Sequence, residues 1–168
     1  MNETTSMPFT AFWSWLETRP LAEHIGFTYW FPLLESIHVL AVGIVVGSIV
    51  MSDLRLLGFT ALRYPPSRMN RELVRWTWFA FIVAVITGFG LFMTRAATYI
   101  ENPAFQLKLL FLLLAGLNMA WFQYRTFPNL LIWERADITP VPAKIAGAVS
   151  LVLWIGIVFA GRWVGHII

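Results

Sequence analysis

The chain has 168 residues, of which 58% are hydrophobic and 12% charged, with nine Trp, 14 Phe, no Cys and a formal net charge of +3. That composition lies outside the range of soluble domains and points to an integral membrane protein. The lack of Cys excludes disulfides, iron–sulfur ligation and thiolate chemistry. Basic residues that flank apolar runs, instead of gathering on one face, argue against a nucleic-acid interface.

The first element is amphipathic. Behind Pro8, the residues Phe9, Phe12, Trp13 and Leu16 recur at i, i+3, i+4 and i+7, giving a short helix with an aromatic face. Residues 1–27 therefore read as an interfacial segment, with a short helix packed on the bundle as the alternative. Glu3, Glu17 and the missing basic start argue against a signal peptide.

Four runs follow that reach the length of about 20 residues a helix needs to cross a bilayer. They cover about residues 30–51, 73–94, 104–124 and 143–166. Asp53 to Arg55 close the first run, and Asn102-Pro103 open the third, with Asn as cap and Pro at the first helical position. No repeat and no linker divides residues 28–168, so the expected fold is all-α, a single four-helix membrane bundle behind an interfacial helix.

Charge sets the expected orientation. The loops after spans one and three, with their flanks, carry Arg55, Arg63, Arg68, Arg71, Arg75, Arg125, Arg135 and Lys144, against Arg19, Arg95, Lys108 and Arg162 on the other side. Eight basic residues against four put both loops in the cytoplasm and both termini in the periplasm of a bacterial inner membrane.

Glu35 and His38 lie three residues apart within the first span, on one helix face. Ionisable groups in a span are costly, so they usually face a bundle interior and belong to a site. Counting outward from Asp53 at about 1.5 Å per residue puts His38 about 22 Å away, some 8 Å under the outer boundary. The same count brings Arg95, Lys108, Arg162, His166 and His24 to the outer side. The inner half is left with Asn118 and Gln123, and with Thr87 as a hydroxyl. Gly43 with Gly47, and Gly161 with Gly165, form small-residue seams for close helix approach, which leaves the polar face to meet a cofactor or another subunit.

Haem b needs one or two imidazoles on helices, apolar walls and cations for its propionates. His38 is the deep imidazole, His24 or His166 a further ligand, and Arg95, Arg162 and Lys108 the cations. Three histidines cannot hold two bis-histidine haems, which excludes a two-haem electron wire within one chain. The alternative is a copper or zinc ion held by His38, Glu35 and His24 or His166. No hydrolase triad or phosphate loop is present, so no catalytic residue is assigned.

The segments Leu34-Glu35-Ser36-Ile37-His38-Val39-Leu40, Asp53-Leu54-Arg55-Leu56-Leu57-Gly58, Asn102-Pro103-Ala104-Phe105-Gln106-Leu107-Lys108 and Gly161-Arg162-Trp163 resemble motifs of a family of small, uncharacterised bacterial four-helix membrane proteins. That family is more distantly similar to copper-resistance D-like proteins and to four-helix b-type cytochromes. The resemblance implies an inner-membrane protein and favours haem or copper, with Glu35, His38, Lys108 and Arg162 at motif positions. The chain lacks the histidines that b-type cytochromes carry in helices two and three, which sets it apart from their double-haem arrangement and quinone chemistry.

The function expected from the sequence is haem b binding near the outer face, for electron transfer or haem-linked redox chemistry. It would operate in a lipid-embedded homo-oligomer that meets a redox partner or quinone. A copper- or zinc-binding or metal-passing protein, and a structural or assembly subunit without cofactor, stand as alternatives.

Overall fold

A computed structural model describes residues 7–59, 66–126 and 139–167. Helices α1 (Met7–Glu17) and α2 (Pro20–Gly26) precede the first long helix, α3 (Trp30–Leu57). Then come α4 (Pro66–Met93), the short α5 (Ala96–Glu101), α6 (Pro103–Trp121) with a π-helical turn at Phe122–Thr126, and α7 (Val141–Ile167). Among the described residues every regular element is helical, and four helices are long and apolar enough to cross a membrane. The chain is an all-α, multi-pass membrane protein. Of the arginines behind the charge bias, Arg63 and Arg135 lie outside the described residues, as do the side chains of Arg68 and Arg71.

Local chemistry sets the ends of these helices. Asn102 caps α6 as expected: its side-chain oxygen accepts from the N–H groups of Ala104 at 2.9 Å and Phe105 at 3.3 Å, with Pro103 at the first helical position. Its amide also donates to the Val164 carbonyl of α7 at 3.2 Å, which ties the two helices together. At the end of α3, Gly58 takes φ +88°, a conformation that glycine adopts without strain. The N–H groups of Gly58 and Phe59 reach the carbonyls of Arg55 and Leu54, both at 2.9 Å, closing a Schellman motif. The first span therefore runs to Leu57, not Met51, and Asp53 lies inside the helix instead of ending it.

Helix α3 packs on α4 and α7, and α7 packs on α6, whereas α4 and α6 touch at few points. One such contact is a stack of Phe92 on Phe105, with ring centroids 5.4 Å apart and planes 10° from parallel. Tyr99 of α5 and Trp13 of α1 join Phe92 at 6.3 and 5.6 Å. Glu17 of α1 also accepts from the Ala97 N–H at 2.9 Å, so α1 is latched across this end of the bundle. The order of packing leaves a seam between α4 and α6 that the aromatic cluster closes at one end.

Small residues make the interior. Ala41, Val45, Ala80, Ala84, Ala115, Ala146 and Ala160 are buried, and among the described residues no large side chain is fully buried and most large apolar residues point outward. Lipid is as apolar as leucine, so association rests on close packing, for which thin side chains are suited. The closest approaches occur where a side chain meets glycine. A Cβ on Gly156 would stand 2.6 Å from the Phe111 ring, and one on Gly147 would stand 3.3 Å from the Asp53 carbonyl oxygen. Of the two expected seams only Gly161 receives a neighbour within this chain, the Lys108 side chain; Gly43, Gly47 and Gly165 have nothing within 4 Å of such an atom. They lie on outward faces, while the helix pairs meet at Gly88, Gly147, Gly156 and Gly161.

Candidate cofactor-binding site

His38 lies in the α3–α4 contact, toward the start of α3 and the end of α4. Its Nδ1 lies 2.9 Å from the Ala84 carbonyl oxygen and 3.2 Å from the Thr87 hydroxyl. A carbonyl oxygen can only accept, so Nδ1 carries the hydrogen and donates. In the neutral ring Nε2 then holds the free lone pair, the arrangement in which a histidine binds metal while its other nitrogen is anchored. Thr87 donates to the Val83 carbonyl at 2.7 Å, which leaves its oxygen free to accept from the imidazole.

The ring can lie this close because residue 88 is glycine. A Cβ there would sit 2.9 Å from His38 Cε1 and 3.2 Å from Nδ1. Lys108 enters the same layer from α6. Its Cδ, Cε and Nζ lie 3.8 to 3.9 Å from the position of a Cβ on Gly161 of α7, and its charge is felt at His38. His38 is eight residues from the start of α3, Lys108 five from the start of α6, and Thr87 and Gly161 six from the ends of α4 and α7. At about 1.5 Å per residue all four lie roughly 8–12 Å beneath one end of the bundle.

This layer corrects two placements. Thr87 belongs beside His38, not in the opposite half, because α4 has only six residues left beyond it. Glu35 is exposed and makes no hydrogen bond or ion pair with His38 or Arg162 among the described residues. The α3 register turns His38 onto the Ala84 carbonyl and leaves Glu35 exposed. Glu35 and Arg95 accordingly act on the phenol of Tyr99. Burial pushes that phenol above its ordinary range, the Glu35 carboxylate adds to the rise and Arg95 opposes it.

Arg95 is exposed at the start of α5, Arg162 and His166 are exposed near the end of α7, and His24 is exposed on α2. Among the described residues no three His, Asp or Glu side chains come together to hold a metal ion, so His24, Glu35, His38 and His166 form no such cluster. The sequence reading missed Ala84, Thr87 and Gly88 as partners of the imidazole. The adjacent Thr-Gly pair, a hydroxyl beside a gap for a ring, was the available signal.

The profile of a family of unknown function, DUF6644, matches residues 12–167. The chain belongs to that family. No curated protein and no solved structure matches it. These comparisons show no likeness to copper-resistance D-like proteins or to b-type cytochromes.

Proposed function

We propose that this DUF6644 protein binds haem b, which His38 would hold through Nε2, for electron transfer or haem-linked redox chemistry. The observation that carries the reading is the single imidazole anchored through Nδ1 on the Ala84 carbonyl. A porphyrin brings four nitrogens of its own and needs one such protein ligand, whereas a copper or zinc ion needs three or four. The residues present fit the first demand better than the second. Bound there, haem b supplies a one-electron redox centre.

Lys108, held against Gly161, and Arg95 and Arg162 nearer the surface are the cations suited to its propionates. Ala84 and Thr87 hold the ring orientation, and Gly88 admits it. His166 or His24 serves as a further ligand where helix tilt brings it down. The basic-residue bias supports an inner-membrane location with this end and both termini periplasmic. The outward glycines Gly43 and Gly47 suit assembly with a second copy.

The test is a spectrum. Protein produced with ample haem should be red with a Soret band, His38→Ala should lose the haem, and Arg95→Ala and Arg162→Ala should weaken its retention. Colourless wild-type protein sinks the haem reading. An unchanged spectrum in His38→Ala means the wrong ligand has been named.

A further inference from the structure

The other end of α3 holds a polar group that the haem reading does not use. Asp53 is 6% exposed, the most buried acid among the described residues. The Ser150 hydroxyl of α7 hydrogen-bonds to its carboxyl group, and Oδ2 is buried with no hydrogen-bond partner. Gly147, one turn before Ser150, brings α7 onto the Asp53 backbone. A Cβ there would lie 3.3 Å from the Asp53 carbonyl oxygen and 3.3 Å from Leu56 Cβ. Asn118 of α6 donates to the Ala146 carbonyl at 2.9 Å, which extends this polar layer across a third helix.

A carboxylate with one bare oxygen between two helices is in a costly state, since a buried charge needs a partner or a donor for each lone pair. The cations on this side in sequence are Arg55 on α3, Arg68, Arg71 and Arg75 on α4, Arg125 after α6 and Lys144 on α7, with Arg63 and Arg135 outside the described residues; Arg75 and Lys144 are exposed. The Ser150 hydroxyl is the side chain that acts on the carboxyl. A metal cation would need further oxygen ligands, and among the described residues Asp53 belongs to no group of three or more His, Cys, Asp or Glu side chains. The occupant that needs neither room nor further ligands is a proton.

We propose that Asp53 is a proton-binding site of the membrane domain, neutral while α7 is closed over it at Gly147 and Ser150. Release of that proton leaves an anion that must be hydrated, and water has no way in while the helices touch. Proton release and loosening of the α3–α7 contact therefore occur together. Ionisable groups inside membrane bundles take this role in proton relays.

The chain contains only two aspartates, Asp53 and Asp137, which makes isotope-edited infrared spectroscopy decisive. Protein carrying carboxyl-13C aspartate, in lipid nanodiscs at neutral pH, should show the carbonyl stretch of a protonated acid, shifted by the label. The band should survive in Asp137→Asn, vanish in Asp53→Asn, and fade as the pH is raised. Melting should match: Asp53→Asn, which keeps the shape of the neutral acid, should melt no lower than wild type at neutral pH. It should also lack the alkaline loss of stability that wild type shows. Absence of the labelled band from both wild type and Asp137→Asn overturns the proposal even if Asp53→Asn fails to fold. A lower melting temperature for a folded Asp53→Asn at neutral pH also overturns it, because an anion would then be the stabilising form.

Discussion

Gly88→Ala is the sharpest test of where the His38 ring lies. The added carbon would stand 2.9 Å from Cε1, whereas ordinary contact begins at 3.4 Å, so the ring must retreat by about 0.5 Å. That retreat draws Nδ1 away from the Ala84 carbonyl, whose bond is 2.9 Å long. Overpacking of this kind costs about 1–3 kcal/mol, and a weakened hydrogen bond adds about 1 kcal/mol. Replacing a helix glycine by alanine returns up to about 1 kcal/mol. The net loss should be about 1–3 kcal/mol, read from unfolding in mixed micelles followed by circular dichroism. Gly43→Ala, with nothing within 4 Å, is the control and should be neutral or mildly stabilising. In a double-mutant cycle, His38→Ala should remove most of the penalty of Gly88→Ala, a coupling of about 1 kcal/mol or more. Additive effects, or a Gly88→Ala protein as stable as wild type, would mean that the imidazole does not lie on this glycine.

Asn102→Ala should cost about 1–2 kcal/mol in the same assay by removing the α6 cap, and Asn102→Ser should recover part of it by restoring the acceptor but not the bond to Val164. Equal loss in the two variants would show that the cap contributes little. Tyr99 should ionise above the usual phenol value of about 10. Its folded value is raised, so the stability it contributes is complete below the unfolded value and is lost as the pH climbs through the folded one. Phenolate absorbance compared between wild type and Tyr99→Phe should isolate this late titration. Ionisation at or below the ordinary value would refute the burial at this position.

The four spans were legible because apolar runs and proline or asparagine punctuation mark helices directly. Asn102-Pro103 announced the start of α6 within one residue of where it lies. The end of α3 was misplaced because Asp53 and Arg55 look like a membrane boundary, whereas Gly58 is the residue that turns the chain. His38 was legible as a buried group, since an imidazole in a span has few alternatives. Its partners were not, because which carbonyl it meets depends on the rotation of α4 against α3, and apolar periodicity barely encodes that rotation when both faces of a helix are greasy. The same cause hid the glycine contacts. Gly43 and Gly47 have the spacing of an interface, yet it is Gly88, Gly147 and Gly156 that receive neighbours.

An interior lined by alanine and glycine separates the surface that faces the solvent from the surface that holds the fold. On α6, Leu107, Leu110, Leu113, Leu114 and Leu117 are exposed, whereas Ala104 and Ala115 are buried, Phe111 meets Gly156 and Asn118 bonds to Ala146. Leu113 and Leu117, the most exposed of these at 60% and 58%, are the first that could become glutamate, lysine or glutamine with least disturbance of the helix contacts. A version of this bundle recoated for water would keep its internal joints intact. It would also meet, for the first time, a solvent that drives apolar groups together.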